Sequence, residues 1–232
     1  MKGRWCILLL LCSTIIGATP YGARWCGKDP SLQCLKVKKS DSWQSLFPNA
    51  IERNIVMRLN RMNIPLYRGM VIAVFRQPPK DTELLDYAPF KKTIDPPGEK
   101  VIMVSLDEDQ QAFGAYNPDG RLVYWGPVSG GRGYCSDIDE DCETALGSFS
   151  IYRKEGEECK STIFPIGEGG APMPYCMFFY RGFALHGSPN VPGYNASHGC
   201  VRLFVEDAKW LNENFVQTGK ALSVIVKDQK IE

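Results

Sequence analysis

The stretch Ala184–Leu211, ALHGSPNVPGYNASHGCVRLFVEDAKWL, decides the predicted fold of the second half of the chain. An apolar run ends at His186, a loop that carries Pro and Gly follows, and a second apolar run begins after Cys200. The next segment, about Val205–Phe215, has two acidic residues in its first turn, where the helix dipole favours them. We therefore expect a strand that ends at His186, a loop that folds back so that Cys200 meets His186, and one helix after it.

The only two histidines of the sequence, His186 and His198, both lie within 14 residues of Cys200. A cysteine nucleophile needs a base that removes its proton and donors that receive the oxyanion. An imidazole, which titrates near neutrality, is the usual base. A buried cysteine with two incidental histidines is the alternative, but the clustering of the three side chains favours catalysis.

The N-terminus has the features of a secretory signal peptide. Two basic residues precede the apolar run Cys6–Ile16, and Gly17 and Ala18 follow it, which is the order of a charged region, an apolar region and a cleavage site. We predict residues 1–18 as the signal peptide. The run is shorter than the roughly 20 residues that a membrane-spanning helix needs, so we expect an exported protein with no retained membrane span.

Seven cysteines follow that segment, and an odd number leaves one thiol unpaired in an oxidising compartment. Six cysteines can pair in 15 ways, so the sequence does not choose among them. Pairing between sequence neighbours would join Cys26 to Cys34, Cys135 to Cys142 and Cys159 to Cys176, leaving Cys200. The alternative is a zinc site built from Cys135, Cys142, Cys159 and Cys176, although no two of these form the C-x2-C pair typical of such sites.

The composition indicates a globular protein and excludes one class of partner. Of the 232 residues, 44% are hydrophobic and 23% are charged, so the chain can bury a core. Its net charge is +1, whereas a surface that follows nucleic-acid phosphates needs a clear basic excess. We therefore expect no nucleic acid as a partner.

From Val101 onward the apolar pattern predicts strands, and we expect a mainly β fold. The turn Asn117-Pro118-Asp119-Gly120 separates two of these runs and predicts a hairpin. The predicted strands are Val101–Leu106, Gln111–Tyr116, Leu122–Val128, Gly147–Arg153, Met177–Arg181, Ala184–His186 and Leu222–Val226.

Residues 35–75 predict a small α+β unit with the order strand, helix, helix, strand. This order resembles a LysM module, with VKKSDSWQSL, VMRLNRMN and LYRGMVIAV where that family has its first strand, second helix and last strand. The resemblance implies a glycan-binding module, but a small domain that only packs on its neighbour fits equally well. We predict this unit over residues 19–76 and a Pro-rich linker over 77–99.

The residues around Cys200 resemble a known family. Ten residues separate His186 from Ser197, and the SHGCVRL that follows is similar to the H-x(n)-[S/T]-H-G-C motif of YkuD-type L,D-transpeptidases, which cross-link or decorate bacterial peptidoglycan. TALGSFSIYR, with Ala145 in place of a Pro, matches the family's T-P-x-G-x-F, and VSGG precedes it. There is a weaker likeness to the enhanced-entry proteins of intracellular bacteria. The resemblance implies a β-sandwich catalytic domain with one flanking helix over residues 100–232.

The same resemblance implies catalytic roles. Cys200 matches the nucleophile and His186 the general base, and the carbonyl of Gly187 would orient the imidazole. The backbone of His198, Gly199 and Cys200 would supply the oxyanion donors, while the His198 ring would shape the site.

Three further residues are candidates for binding substrate. Ser197 matches the Ser or Thr that fixes the loop, and Arg202 is placed to hold a carboxylate of the stem peptide. A salt bridge from Arg202 to Glu206 or Asp207 is the alternative. Tyr175 is a candidate for the wall of the groove, although an aromatic side chain in a strand is more often part of the core. The cysteine-rich insert over residues 133–142 is a candidate for part of a lid.

The implied reaction is acyl transfer through a Cys200 thioester in the periplasm or cell envelope. A tetrapeptide stem would be the donor and an amine the acceptor, with no metal or cofactor. If water resolved the thioester, the protein would be an L,D-carboxypeptidase. A non-catalytic wall-binding or host-contact module is the alternative from another class.

Overall fold

The computed structural model describes residues 19–77, 83–162, 171–217 and 219–231. The predicted signal peptide and part of the predicted linker lie outside these ranges. Within them, no helix is long and apolar enough to cross a bilayer.

The N-terminal unit has the predicted order of elements. A short helix α1 (Tyr21–Trp25) precedes β1 (Leu32–Lys36), α2 (Trp43–Leu46), α3 (Ala50–Leu59) and β2 (Val71–Phe75). The two strands pair antiparallel, and β1 begins three residues earlier than the pattern predicted. The apolar faces of both helices and β2 enclose a small core, which consists of Val37, Trp43, Phe47, Val56, Met62, Met70, Ile72 and Val74.

Eleven more strands follow among the described residues. They are β3 (Lys100–Ser105), β4 (Ala112–Tyr116), β5 (Leu122–Ser129), β6 (Tyr134–Cys135), β7 (Glu140–Asp141), β8 (Gly147–Ser150), β9 (Arg153–Lys154), β10 (Met177–Tyr180), β11 (Phe183–Gly187), β12 (Val201–Leu203) and β13 (Leu222–Lys227). β6 and β7 form a separate hairpin, and the other nine form one sheet in the order β8-β13-β3-β4-β5-β12-β11-β10-β9. The mainly β class is therefore confirmed.

The sheet curls until its two ends meet. The segment predicted as one strand over residues 147–153 is instead two: Ser150 of β8 pairs with Ser223 of β13, whereas Arg153 of β9 pairs with Phe178 of β10. The chain thus passes from one edge of the sheet to the other within three residues. Phe149 closes the gap, with its ring centroid 5.3 Å from that of Phe179. The enclosed space holds the main apolar core.

The predicted helix lies against this sheet. It comprises α4 (Val205–Trp210) and a π-helical turn (Leu211–Phe215), and Ala208, Leu211 and Phe215 enter the core. The linker residues that the structure describes lie on the outer face of the sheet. There Phe90 is buried and Tyr116 donates its hydroxyl proton to Lys91 O at 2.9 Å.

A buried ion pair joins the N-terminal unit to this helix. Arg58 of α3 donates to both carboxylate oxygens of Asp207, at 2.8 Å for Nη1 and Oδ2, and the two side chains are 2% and 0% exposed. Tyr124 donates to the same carboxylate at 2.8 Å. Gly126 makes room for the pair, because a Cβ there would lie 2.2 Å from Asp207 Oδ2.

Replacing Arg58 with Met should destabilise the protein by about 3–5 kcal/mol, because it leaves the Asp207 carboxylate buried without its counter-charge. Urea unfolding measures the loss. Arg53→Met is the matched control, since Arg53 lies on the same helix and donates only to backbone carbonyls of its own unit. A loss for Arg58→Met no larger than that of the control would show that the pair does not hold the two parts together.

Candidate active site

Parallel pairing of β11 and β12 places the candidate residues on one face of the sheet. His186 lies opposite Arg202, and Leu185 lies opposite Val201. Since successive side chains in a strand point to opposite faces, Leu185 and Val201 enter the core while His186 and Arg202 point the other way. Cys200 directly precedes β12 and packs against a cluster on that second face.

The His186 imidazole is fixed in one tautomer. Its Nδ1 lies 2.9 Å from Gly187 O, and because a carbonyl can only accept, Nδ1 carries the proton and Nε2 is left as the basic atom. Burial lowers the pKa of His186 to about 4, against the opposing effect of the Gly187 carbonyl, and the charge of Arg202 adds to the lowering. The ring is therefore neutral at pH 7 and able to accept a proton.

Cys200 is the one cysteine among the described residues that lies outside a disulfide. Its Sγ lies 3.8 Å from Gly182 O. Burial raises the pKa of the thiol, while the Ala184 N–H and the charge of Arg202 act in the opposite direction. The resting site therefore holds a neutral thiol and a neutral imidazole on one face of the sheet, not a thiolate–imidazolium pair.

The other described cysteines form three disulfides, in the pairing of sequence neighbours. Cys26 bonds to Cys34, Cys135 to Cys142 and Cys159 to Cys176. The alternative zinc site is wrong, because all four of its proposed ligands are oxidised. The Cys159–Cys176 disulfide belongs to the cluster against which Cys200 packs, so it forms part of the wall beside the nucleophile.

The cysteine-rich insert holds the ring of His198. Asp137, which lies between the two cysteines of the insert, has Oδ2 2.6 Å from His198 Nε2, and Arg132 has Nη2 3.3 Å from Nδ1. A guanidinium only donates, so Nδ1 accepts and the Nε2 proton is donated to Asp137. This hydrogen bond lowers the pKa of Asp137. Both ring nitrogens of His198 are therefore engaged by the insert and its flank.

Side-chain hydroxyls fix the turn that leads into Cys200. Ser197 Oγ donates to Cys200 O at 2.5 Å and accepts the Gly199 N–H at 3.0 Å. Thr144 Oγ1 donates to Gly199 O at 2.7 Å. Gly199 is required here, because its φ of 116° is unfavourable for other residues and a Cβ would lie 2.7 Å from the Phe183 ring.

These contacts correct one implied role. The resemblance made the backbone of residues 198–200 the oxyanion donors, but the Gly199 N–H is already bonded to Ser197 Oγ. Gly199 therefore contributes its backbone conformation and close approach to Phe183, not a free donor.

A comparison with protein-family models matches residues 99–226 to the YkuD L,D-transpeptidase catalytic domain. The chain belongs to this family. The L,D-transpeptidase of Xylanimonas cellulosilytica has a similar structure, with 25% identity, a TM-score of 0.52, and 76% of this chain and 79% of that one covered. The L,D-transpeptidase of Stackebrandtia nassauensis is 26% identical, with a TM-score of 0.44 and 60% of each chain covered. A comparison with curated protein sequences gave no match.

In the transpeptidase domain, Arg202 shares the face of Cys200, and its Nη1 donates to Asn190 O at 3.3 Å. The alternative of a salt bridge to Asp207 is wrong, because Asp207 binds Arg58. Across the ranges that the structure covers, no ion pair involves Arg202. The Arg202 guanidinium therefore has a carbonyl partner but no carboxylate partner among the described residues.

Tyr175 does not lie on the face of the sheet that carries Cys200. It is buried in the main core with Met177 and Phe179, and its hydroxyl donates to Glu157 at 3.3 Å. Phe178, on the other face of β10, belongs to the cluster that contacts Cys200. Alternation along the strand puts these side chains on opposite faces, so the prediction that Tyr175 lines the groove is wrong.

Sequence reasoning missed several residues that shape the transpeptidase site. Thr144 had a signal, because it stands in the family's T-P-x-G-x-F pattern, but its contact with Gly199 O was not expected. Asn195 accepts the Gly130 N–H at 2.9 Å and donates to Leu106 O at 2.9 Å, which ties the loop to β5 and β3. Asp137 carried no signal beyond its place in the insert.

We expect one titratable thiol, Cys200, in the oxidised protein that lacks residues 1–18. The other six cysteines are in disulfides and cannot react. Alkylation under native and denaturing conditions, followed by peptide mass mapping, measures this. Recovery of Cys200 in a disulfide with another cysteine alkylated would contradict the assignment.

The rate of Cys200 alkylation should rise through the alkaline range without a plateau at neutral pH. Burial raises the pKa of the thiol and lowers that of His186, so no stabilised thiolate forms near pH 7. Replacing Arg202 with Met should move the profile to still higher pH, because the charge of Arg202 lowers the pKa of the thiol. A reactive thiolate plateau below pH 7 would show a resting ion pair and contradict the prediction.

Proposed function

We propose that the protein is an exported L,D-transpeptidase that takes an acyl group from a peptidoglycan tetrapeptide stem and transfers it to an amine through a Cys200 thioester. The observation that carries the proposal is that Cys200 packs on the face of the sheet to which the neutral imidazole of His186 points. In that imidazole the Gly187 carbonyl fixes the proton on Nδ1, which leaves Nε2 basic. The scheme requires no metal or cofactor.

In the acylation half-reaction, the Cys200 thiol turns from Gly182 O and gives its proton to His186 Nε2. Sγ attacks the carbonyl between the L-centre and the terminal D-residue, and we assign the Cys200 N–H as an oxyanion donor, with that of His198 as its partner. The imidazolium then protonates the leaving amine, so the D-amino acid departs and the thioester remains. Because His186 begins neutral, the proton it receives is the one it returns.

In the second half-reaction, an amine attacks the thioester carbonyl and loses its proton to His186. The C–S bond breaks and Cys200 leaves as the thiolate, which the imidazolium protonates. A stem amine as acceptor gives a 3-3 cross-link, and a free D-amino acid gives exchange at the stem. The Cys159–Cys176 disulfide and Phe178 shield one side of this thioester from water.

Arg202 is the proposed site for a carboxylate of the donor stem. It lies in register with His186, is partly buried, and has no carboxylate partner among the described residues. Ser197 acts on the same site indirectly, because it holds the turn of Gly199 and Cys200. The ring of His198, held by Asp137, forms one wall, and the insert that carries Asp137 is the proposed lid.

The remaining proposals concern organisation. We infer that residues 1–18 direct export to the periplasm or cell envelope, and the three disulfides support an oxidising compartment. The order β1-α2-α3-β2 supports a LysM-like module over residues 19–76, joined through residues 77–99 to the catalytic domain over 100–232. The buried Arg58–Asp207 pair favours a structural task for that module.

Hydrolysis is the second candidate, because water could resolve the same thioester and give an L,D-carboxypeptidase. A non-catalytic wall-binding module is disfavoured by the intact pair of Cys200 and His186.

Purified protein beginning at residue 19, given disaccharide-tetrapeptide fragments, should release a terminal D-amino acid and form a dimer that lacks one D-residue. Replacing His186 with Ala should slow the reaction about 10²–10⁴-fold, because a general base contributes that much. His198→Ala is the comparison, and we expect a smaller loss because His198 shapes the site. Mass spectrometry of the products measures the reaction of the parent protein and of both variants.

The products also separate the candidates. A tripeptide alone, whichever amine is supplied, indicates carboxypeptidase action. An intact tetrapeptide, together with no mass adduct on reduced Cys200 after treatment with a carbapenem, would reject the enzyme proposal.

A further inference from the structure

The loop that joins the two halves of the motif is held by the N-terminal unit. Asn63 donates from Nδ2 to Ser188 O at 2.8 Å and accepts the Val191 N–H on Oδ1 at 2.8 Å. The Asn63 N–H also donates to Val191 O at 3.0 Å. One residue that lies outside the catalytic domain thus makes three hydrogen bonds to the loop.

Neighbouring residues extend this contact. Met62, which is 0% exposed, forms an antiparallel bridge with Pro192, and Tyr21 donates its backbone N–H to Gly193 O at 2.9 Å. Gly193 has a φ of 84°, and a Cβ there would lie 3.0 Å from Asn60 O. The loop is therefore paired with the N-terminal unit almost as a strand would be.

Both ends of the loop lead to the active site. Ser188 follows Gly187, whose carbonyl orients His186, and the Ser188 N–H donates to Leu203 O at 2.8 Å. Asn190 lies between the two residues that Asn63 holds, and its carbonyl accepts the Arg202 guanidinium at 3.3 Å. Asn190 also donates its N–H to Ser188 Oγ at 3.0 Å. The carbonyl that meets Arg202 is thus part of the turn that Asn63 fixes.

We propose that Asn63 is a positioning residue for Arg202. By holding Ser188 and Val191, Asn63 directs Asn190 O at one N–H of the Arg202 guanidinium. The other N–H groups of that guanidinium are then left to face the cleft. The N-terminal unit then contributes to the geometry of the active site, independently of any binding of glycan. The effect on substrate rests on the proposed function, in which Arg202 binds a carboxylate of the donor stem.

A double-mutant cycle with Asn63→Ala and Arg202→Ala tests the proposal on the full protein. If Asn63 acts through Arg202, Asn63→Ala should raise KM for the tetrapeptide donor about 5- to 10-fold, as expected for a weakened charged hydrogen bond, with kcat changed less than about twofold. In the Arg202→Ala background the same change should leave KM unaltered. Effects of the two substitutions that multiply would overturn the proposal.

Asn49→Ala is the matched control. Asn49 caps α3 through the Ile51 and Glu52 N–H groups and lies in the same unit, so its loss should cost about 1 kcal/mol of stability without touching the loop. We expect donor KM to remain at the parent value. A rise in KM for Asn49→Ala equal to that for Asn63→Ala would reduce the role of Asn63 to stability alone.

The alkylation profile of Cys200 gives a readout that needs no substrate. The charge of Arg202 lowers the pKa of the thiol, so Asn63→Ala should move the profile to higher pH in the parent and leave it unmoved in Arg202→Ala. If the parent protein is inactive on tetrapeptide stems, the proposed function fails. The shift of the alkylation profile still tests the positioning of Arg202 in that case. No shift in the parent would overturn the proposal.

If Asn63→Ala does not fold, Asn63→Asp serves in its place. It keeps an acceptor for the Val191 N–H but sets a carboxylate oxygen against Ser188 O. We expect the same direction of change in KM and in the alkylation profile. Parent values for a folded Asn63→Asp, with its Val191 amide still protected from hydrogen exchange, would count against the assignment.

Discussion

The active site depends on the parallel pairing of two short strands, β11 and β12. Parallel neighbours need a connection that returns to the starting end of the sheet, usually a dozen or more residues that form a helix. Here residues 188–200 make the return without a helix. A loop of that kind cannot satisfy all of its backbone groups internally, so it takes further partners from outside itself.

Those partners come from two directions, and together they hold the site. The end of β5 binds the later part of the loop, through Ser129 Oγ to Tyr194 O at 2.8 Å and the Gly130 N–H to Asn195. The N-terminal unit binds the earlier part through Asn63. The buried pair of Arg58 and Asp207 fixes that unit against the helix behind β11. The N-terminal unit, which the sequence presents as a separate module, is thus bound both to the loop between β11 and β12 and to the helix behind β11.

Burial sets the protonation of the site. Taking His186 and Cys200 out of water disfavours the charged form of each, which moves their pKa values away from one another and keeps both groups neutral. Such a cysteine is a weak nucleophile near pH 7 until His186 removes its proton. A neutral thiol is also a poor partner for disulfide exchange and oxidation, because both proceed through the thiolate.

The sequence alone determined the chemistry and the local structure. The predicted strands, the helix after Val205 and the strand–helix–helix–strand unit follow from periodicity, which depends only on neighbouring residues. The pair of His186 and Cys200 follows from the residue types and their spacing. The sequence left the pairing of the cysteines open, and the structure joins those that are neighbours in the sequence. Tertiary structure decided which face of a strand is buried, because alternation leaves that choice open; Tyr175 therefore went to the core and Phe178 to the cleft. It also decided where the predicted strand over residues 147–153 breaks to cross between sheet edges. The Arg58–Asp207 pair and the hydrogen bonds of Asn63 to the loop join residues more than 120 positions apart, and only the tertiary structure brings such residues into contact.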